Sequence, residues 1–269
     1  MRRTTLLLAL AAAVVAVDLL PLVLIVKQAV TPESESFAWP PTWWPRRPTL
    51  ENFGMVRATI ELGRGLWMSA LVAVLTVGST LALALPAAWL AARRPAQADR
   101  PLDAVMIVTR LFPSIALAVP LAALFVHVGL YNHPAALGLW LAHTLLGLPF
   151  AFLVLRTGFR AVPVELEEAA RLDGATGIGS FVRVTLPLMR PALAVAALLV
   201  FLISWDEFAY ALLLQVTNRP LPPLLYYLAA FGHPGLASAV ATIMLGPALL
   251  IVLVLEPALR SGALTGSGR

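Results

Sequence analysis

Residues 156–190 read R-T-G-F-R-A-V-P-V-E-L-E-E-A-A-R-L-D-G-A-T-G-I-G-S-F-V-R-V-T-L-P-L-M-R. Pro163 suits a first helical turn, where its missing N–H costs nothing. Glu165, Glu167 and Glu168 follow at the end of a helix where the dipole favours negative charge. Glu167 and Arg171 stand four apart in the favourable order, and Gly174 supplies a stop that tolerates a left-handed backbone. The spacing predicts a short helix from about Pro163 to Asp173. Gly174, Gly177 and Gly179 then make a sharp turn, and Ser180 is placed to cap a second helix beginning near Phe181. Leu166, Ala169 and Ala170 fall on one face, small enough for close approach by another surface. Two readings are open: the helix-turn-helix lies in a partner's groove, or it packs against helices of its own chain.

On either side of this segment the chain is strongly apolar. A helix that crosses a bilayer needs about 20 mostly apolar residues. Six stretches qualify, at approximately 5–28, 66–91, 103–127, 135–155, 191–214 and 236–257. The first follows Arg2 and Arg3 and runs to Val26 before Lys27, with no small-residue cleavage site to close it. That favours a retained helix over a signal peptide, whose apolar core is about 7–15 residues. The expected fold class is therefore an all-α integral membrane protein with six transmembrane helices. Residues 1–64 form a first helix plus an outer segment, and residues 65–269 form a core of five helices.

Composition agrees. Of 269 residues, 60% are hydrophobic and 12% charged, whereas soluble domains carry roughly 45–50% and about 25%. The mean hydropathy is +0.87. A soluble enzyme, a disordered regulator and a nucleic-acid-binding module are all excluded, since the net charge of +5 is dispersed between apolar stretches. Cysteine is absent, which removes disulfides, thiolate metal sites and thiol nucleophiles. With the N-terminus inside, twelve arginines fall on cytoplasmic segments (2, 3, 93, 94, 100, 156, 160, 171, 183, 190, 260 and 269) against six basic residues outside (27, 46, 47, 57, 64 and 219). That bias places both termini in the cytoplasm.

The outer segment is rich in proline, with Trp39, Trp43 and Trp44 interleaved. Such rings are either anchors in the headgroup layer or a platform on which a ligand stacks. Pro86, Pro113, Pro120, Pro149 and Pro247 fall inside apolar stretches and predict kinks. The four histidines show no metal or catalytic spacing, and no H-E-x-x-H is present.

Glu168-Ala169-Ala170, three residues, Gly174, nine residues, Val184, one residue, Leu186-Pro187 resembles the EAA loop of ABC-importer permeases. The flanks, including Pro149-Phe150, Pro163, Glu165-Leu166, Asp173-Gly174-Ala175 and Phe181, are similar to carbohydrate-importer permeases of the maltose-G type. Trp205-Asp206-Glu207-Phe208 resembles the Trp-Asn-Glu/Asp-Phe stretch of their fifth helix, with Asp206 in place of the usual Asn. Gly262-Ala263-Leu264-Thr265-Gly266 is similar to their closing signature. The resemblance covers roughly residues 50–269. It implies the permease subunit of a bacterial ATP-driven sugar importer in the inner membrane, with the EAA loop between helices 4 and 5 on the cytoplasmic side. By the same resemblance Glu168, Ala169, Ala170, Asp173, Gly174, Leu186 and Pro187 are contacts to a cytoplasmic P-loop ATPase dimer. A second homologous permease and an extracytoplasmic sugar-binding protein complete the implied assembly.

This chain is expected to bind no cofactor and to be no enzyme. Its only lysine is Lys27, so it has no G-x-x-x-x-G-K-[ST] loop for nucleotide phosphates, and ATP with its Mg belongs to the partner ATPase. Ionisable residues within apolar stretches mark functional positions by default: Asp18, Arg110, Asp206 and Glu207. Trp205, Asp206, Glu207, Phe208 and Tyr210 offer aromatic faces and acceptor oxygens suited to a sugar, and Arg110 joins them as a candidate of the pathway. Alternatively Asp206 and Glu207 pair with an arginine such as Arg110 and hold helices together. A rival function, a proton-coupled secondary transporter, would use Asp206 or Glu207 as its relay.

Overall fold

The computed structural model describes residues 2–95, 100–109 and 111–265, and the described residues are helical with no strand. In chain order the helices are α1 (Arg2–Ala29), α2 (Glu33–Ser36), α3 (Glu51–Ala58), α4 (Ile60–Ala92), α5 (Arg100–Val108), α6 (Ser114–His127) and α7 (Leu137–Ala161). They continue as α8 (Val164–Leu172), α9 (Gly177–Ser180), α10 (Leu186–Leu188), α11 (Arg190–Asp206), α12 (Ala209–Leu214), α13 (Leu221–Ala230) and α14 (Pro234–Thr265). A π-helical turn, Phe181–Thr185, joins α9 to α10.

Among the described residues four helices are long and apolar enough to cross a bilayer: Thr5–Ala29, Glu61–Ala92, Leu137–Ala161 and Pro234–Ala258. Gly177–Leu188 and Arg190–Asp206 pass the same test as a pair bent by 75°. The expected third and fifth stretches are thus not single helices. The third is divided between α5 and α6, and Pro113 flanks the start of α6 with an extended ψ of 136°; proline lacks the donor a continuing helix needs and pushes its predecessor out of the helical region. The fifth ends at Asp206 and resumes at Ala209 with no proline or glycine between them. By contrast Pro21, Pro86, Pro120 and Pro149 lie inside continuous helices.

The chain divides into two compact units, Met1–Leu66 with Leu221–Pro247, and Trp67–Pro220 with Ala248–Arg269. Residues 221–247 thus group with the N-terminal residues in the first unit. Within that unit Asn52 is 3% exposed, and its amide nitrogen donates at 2.9 Å to both Ala29 O, at the end of α1, and Thr31 O. Trp39 and Trp43 are 89% and 83% exposed, free for either role assigned to them.

The second unit is built on close approach. Ala84, Ala88 and Ala91 form a buried small-residue face of α4, against which pack Phe152, Leu155 and Phe159 of α7 and Ala196 and Val200 of α11. Small faces of this kind let membrane helices approach where lipid offers no hydrophobic drive. A Cβ on Gly158 would lie 2.6 Å from the Ala192 Cβ, so α7 meets α11 there without a side chain. Gly158→Leu is expected to lower the melting temperature of the detergent-purified protein, because overfilling such a contact costs about 1–3 kcal/mol; an unchanged melt would disprove the tight crossing. Interhelical hydrogen bonds add to the packing: Ser79 Oγ to Thr144 Oγ1 at 2.8 Å, Trp140 Nε1 to Ser79 at 3.1 Å, and His143 Nδ1 with Ser204 Oγ at 2.8 Å. Arg156 of α7 is paired with Asp103 of α5.

Candidate functional site

The segment from Pro163 to Met189 has the expected helix-turn-helix form with one correction. Pro163 precedes α8, and Glu165 and Glu167 occupy its first turn. At its end Gly174 has φ +90°. The Gly174 N–H donates to Arg171 O at 3.0 Å and the Ala175 N–H to Ala170 O at 2.9 Å, the two bonds of a Schellman ending. The second helix starts at Gly177, earlier than Phe181, and its cap is Thr176, whose hydroxyl accepts the Gly179 N–H at 3.0 Å. Ser180 is not the cap. Its buried hydroxyl donates to Glu167 O at 3.2 Å.

Glu167 holds this segment together. It is 3% exposed, and its Oε1 accepts from Arg93, from Thr185 Oγ1 at 2.9 Å and from Trp89 Nε1 at 3.3 Å. Burial pushes the Glu167 carboxyl up, but the hydrogen bonds from Arg93, Thr185 and Trp89, with the Arg93 charge, hold it below the ordinary glutamate value. It is therefore ionised at neutral pH. Arg93 also donates to Phe159 O at 2.9 Å and Val162 O at 3.5 Å, at the C-terminal end of α7. Phe181 packs on Trp89 and Phe159, with ring centres 5.1 and 6.0 Å apart. The i,i+4 spacing to Arg171 pointed to a surface pair; the carboxylate turns inward instead.

Outside this anchor the segment is open. Glu168, Ala169, Asp173, Gly174 and Pro187 are exposed, and Ala170 and Leu186 are half-buried. Leu172 is 89% exposed and Ile178 79%. Two bare aliphatic side chains therefore flank the glycine turn beside an exposed acid.

A second feature is an open cavity of about 930 Å³ lined by α5, α6, α7 and the break between α11 and α12. Asp206, Glu207, Phe208 and Tyr210 all line it, with Phe112 and Ser114 opposite in sequence. Trp205 does not: it is 5% exposed and stacks on Phe201 with ring centres 5.3 Å apart. Arg110 lies outside the described residues. Asp206 is exposed, whereas Glu207 is 8% exposed and its carboxylate accepts the backbone N–H groups of Ala209 (3.2 Å), Tyr210 (2.7 Å) and Ala211 (3.3 Å). That carboxylate supplies the acceptor α12 needs for its first orphan donors. His143 Nε2 stands 3.7 Å from the Glu207 carboxylate, beyond hydrogen-bond reach. Arg93 and His143 were not singled out from sequence; Arg93 sits in an ordinary-looking Arg-Arg-Pro run, and nothing local signals its partner 74 residues away.

Helical throughout its described residues, with several bilayer-length apolar helices and an exposed helix-turn-helix that follows α7, the chain has the build of a multi-pass membrane transport subunit. It belongs to the family of binding-protein-dependent transport system inner membrane components, which matches residues 84–261. It is 36% identical over 230 residues to the putative ABC transporter permease protein ORF1 of Streptomyces antibioticus, covering 83% of this chain and 98% of that one. It is 31% identical over 252 residues to the sulfoquinovosyl glycerol transport system permease protein SmoH of Agrobacterium fabrum, covering 92% and 88%. Its fold is similar to a chain in the crystal structure of a bacterial ABC transporter involved in import of the acidic polysaccharide alginate, with TM-score 0.76, 18% identity and coverage of 95% and 96%.

Proposed function

We propose that this chain is the permease subunit of a bacterial ATP-driven importer, and that its cargo is a sugar or oligosaccharide. The observation that carries the reading is the 164–188 segment, fastened by Glu167 and presenting Leu172, Ile178, Glu168 and Ala169 outward. Such a segment serves to receive a partner, and the partner is a cytoplasmic P-loop ATPase pair that binds ATP and Mg. A second homologous permease shares the pathway, and an extracytoplasmic binding protein delivers the cargo. The SmoH relative, named for a sugar-bearing glycerol, supports the cargo class, as do the acceptor oxygens and aromatic rings of the 930 Å³ cavity.

In this reading the chain crosses the inner membrane six times, with α5–α6 as a broken third span and α11–α12 as a broken fifth, and both termini cytoplasmic. Closure of the ATPase pair displaces the 164–188 segment and tilts the helices around the cavity, exchanging its opening between the two sides. Glu168, Ala169, Ala170, Asp173, Gly174, Leu186 and Pro187 make or shape the ATPase contact, while Asp206, Phe208 and Tyr210 face the cargo.

The test is a gentle detergent pull-down of the tagged chain from its native membrane, followed by reconstitution into vesicles. The expected result is stoichiometric recovery of a P-loop ATPase and a second permease. Uptake of radiolabelled disaccharides or glycosylglycerols should then require enclosed ATP and survive a protonophore. Uptake abolished by the protonophore and indifferent to ATP would overturn the reading in favour of a gradient-driven transporter.

A further inference from the structure

We propose that Glu167 is the positioning residue through which the 164–188 segment moves α4 and α7, with Arg93 as its counterpart; the proposal rests on the importer reading above. The segment's helix carries three glutamates, of which Glu165 and Glu168 are exposed and only Glu167 is buried. Its Oε1 gathers donors from Trp89 of α4, from Arg93 just beyond α4 and from Thr185 of the π-helical turn. Its backbone carbonyl takes the Ser180 hydroxyl. Arg93 then reaches the last carbonyls of α7 at Phe159 and Val162. One carboxylate thus ties α8, the π-helical turn and the ends of α4 and α7 into a single cluster, sealed by Phe181 against Trp89 and Phe159.

A buried ion pair is poor evidence of stability, since a well-packed apolar substitute often holds a fold as well. A fully satisfied polar network does, however, fix one geometry. Along the backbone the segment continues into α11 only through the 75° bend at Met189. Besides the backbone link at Pro163, the docking surface is thus joined to α4 and α7 through this side-chain network.

The purified complex, reconstituted with its ATPase, second permease and binding protein, tests this. Glu167→Gln keeps the size and an acceptor oxygen for Thr185 but removes the charge facing Arg93. The expected result is uptake per ATP hydrolysed reduced about tenfold, within the usual range for coupling between two sites, with complex recovery and ATP turnover retained and partial rescue by Glu167→Asp. Because the chain has no cysteine, spin labels can be placed at Glu165 of α8 and at Leu83 of α4, both exposed and neither assigned to the ATPase contact. In the wild-type complex the two labels keep one distance with and without trapped ATP, and in Glu167→Gln the distribution broadens. An unchanged ratio of uptake to ATP in Glu167→Gln would overturn the proposal, as would a parallel fall of uptake, ATP turnover and recovered complex. A wild-type label distance that changes when ATP is trapped would also overturn it. Wild-type uptake that needs no ATP would sink the importer reading and this proposal with it, whereas ATP-driven uptake with an unaffected Glu167→Gln sinks this proposal alone.

Discussion

Gly174→Val is expected to leave the protein inserted and assembled, yet to cut vesicle uptake roughly tenfold or more while ATP hydrolysis continues, tenfold being the effect of about 1.4 kcal/mol. At Gly174 the backbone sits at φ +90° and a Cβ would meet nothing within 4 Å. The penalty is therefore conformational, with no crowding to relieve, and for a β-branched residue held in that region it is about 1–3 kcal/mol. The chain escapes by opening the Schellman ending, which releases the bonds at Arg171 O and Ala170 O and changes the angle between Leu172 and Ile178. Insertion depends on the apolar helices and is untouched. Gly174→Asn, which tolerates positive φ better, should fall between wild type and valine. Paired measurements of uptake and phosphate release in the same vesicles decide the matter, and normal uptake by the valine variant would remove the turn from the coupling path.

Neighbouring acids at the helix break should behave in opposite ways. Glu207→Ala takes away the acceptor of three N–H groups, those of Ala209, Tyr210 and Ala211. A buried donor left without a partner costs about 1–3 kcal/mol, so the melting temperature of the purified protein should fall markedly and the Tyr210 wall of the cavity should lose its place. Asp206→Asn alters a side chain that is exposed in the cavity; it should leave the melt unchanged and shift the concentration of cargo needed for half-maximal uptake. A wild-type melt for Glu207→Ala would show that the carboxylate does not build the break. Equal effects of both substitutions on the melt would deny Asp206 a separate role.

What the sequence made legible is what local chemistry encodes. The helix from Pro163 to Asp173 is present as Val164–Leu172, because proline, acidic first turn and terminal glycine all act within one short stretch. The break near Pro113 follows from proline's missing donor. The break at Glu207 was not legible, since no proline or glycine marks it and its cause is a carboxylate folding forward onto the next helix. Glu167 was misjudged for a related reason. Four-residue spacing offered Arg171, and only the tertiary fold brings Arg93 closer. Trp205 and Tyr210 looked alike as aromatic neighbours of an acid, yet one turns into the packing against Phe201 and the other lines the cavity.

Two helices here are finished by side chains that belong to other parts of the chain: Asn52 closes the end of α1 and Arg93 closes the end of α7. Their order of synthesis differs. Arg93 precedes Phe159 by 66 residues, so the terminator of α7 is already made when that helix emerges, and α7 can be completed as it enters the bilayer beside α4. Asn52 follows Ala29 by 23 residues, so the Ala29 carbonyl is sealed only after the proline-rich segment has been made, whereas Val30 and Thr31 close the carbonyls of Val26, Lys27 and Gln28 at once. The first helix must therefore wait for its terminator while the seventh does not, and the Ala29 carbonyl depends on other partners until Asn52 arrives.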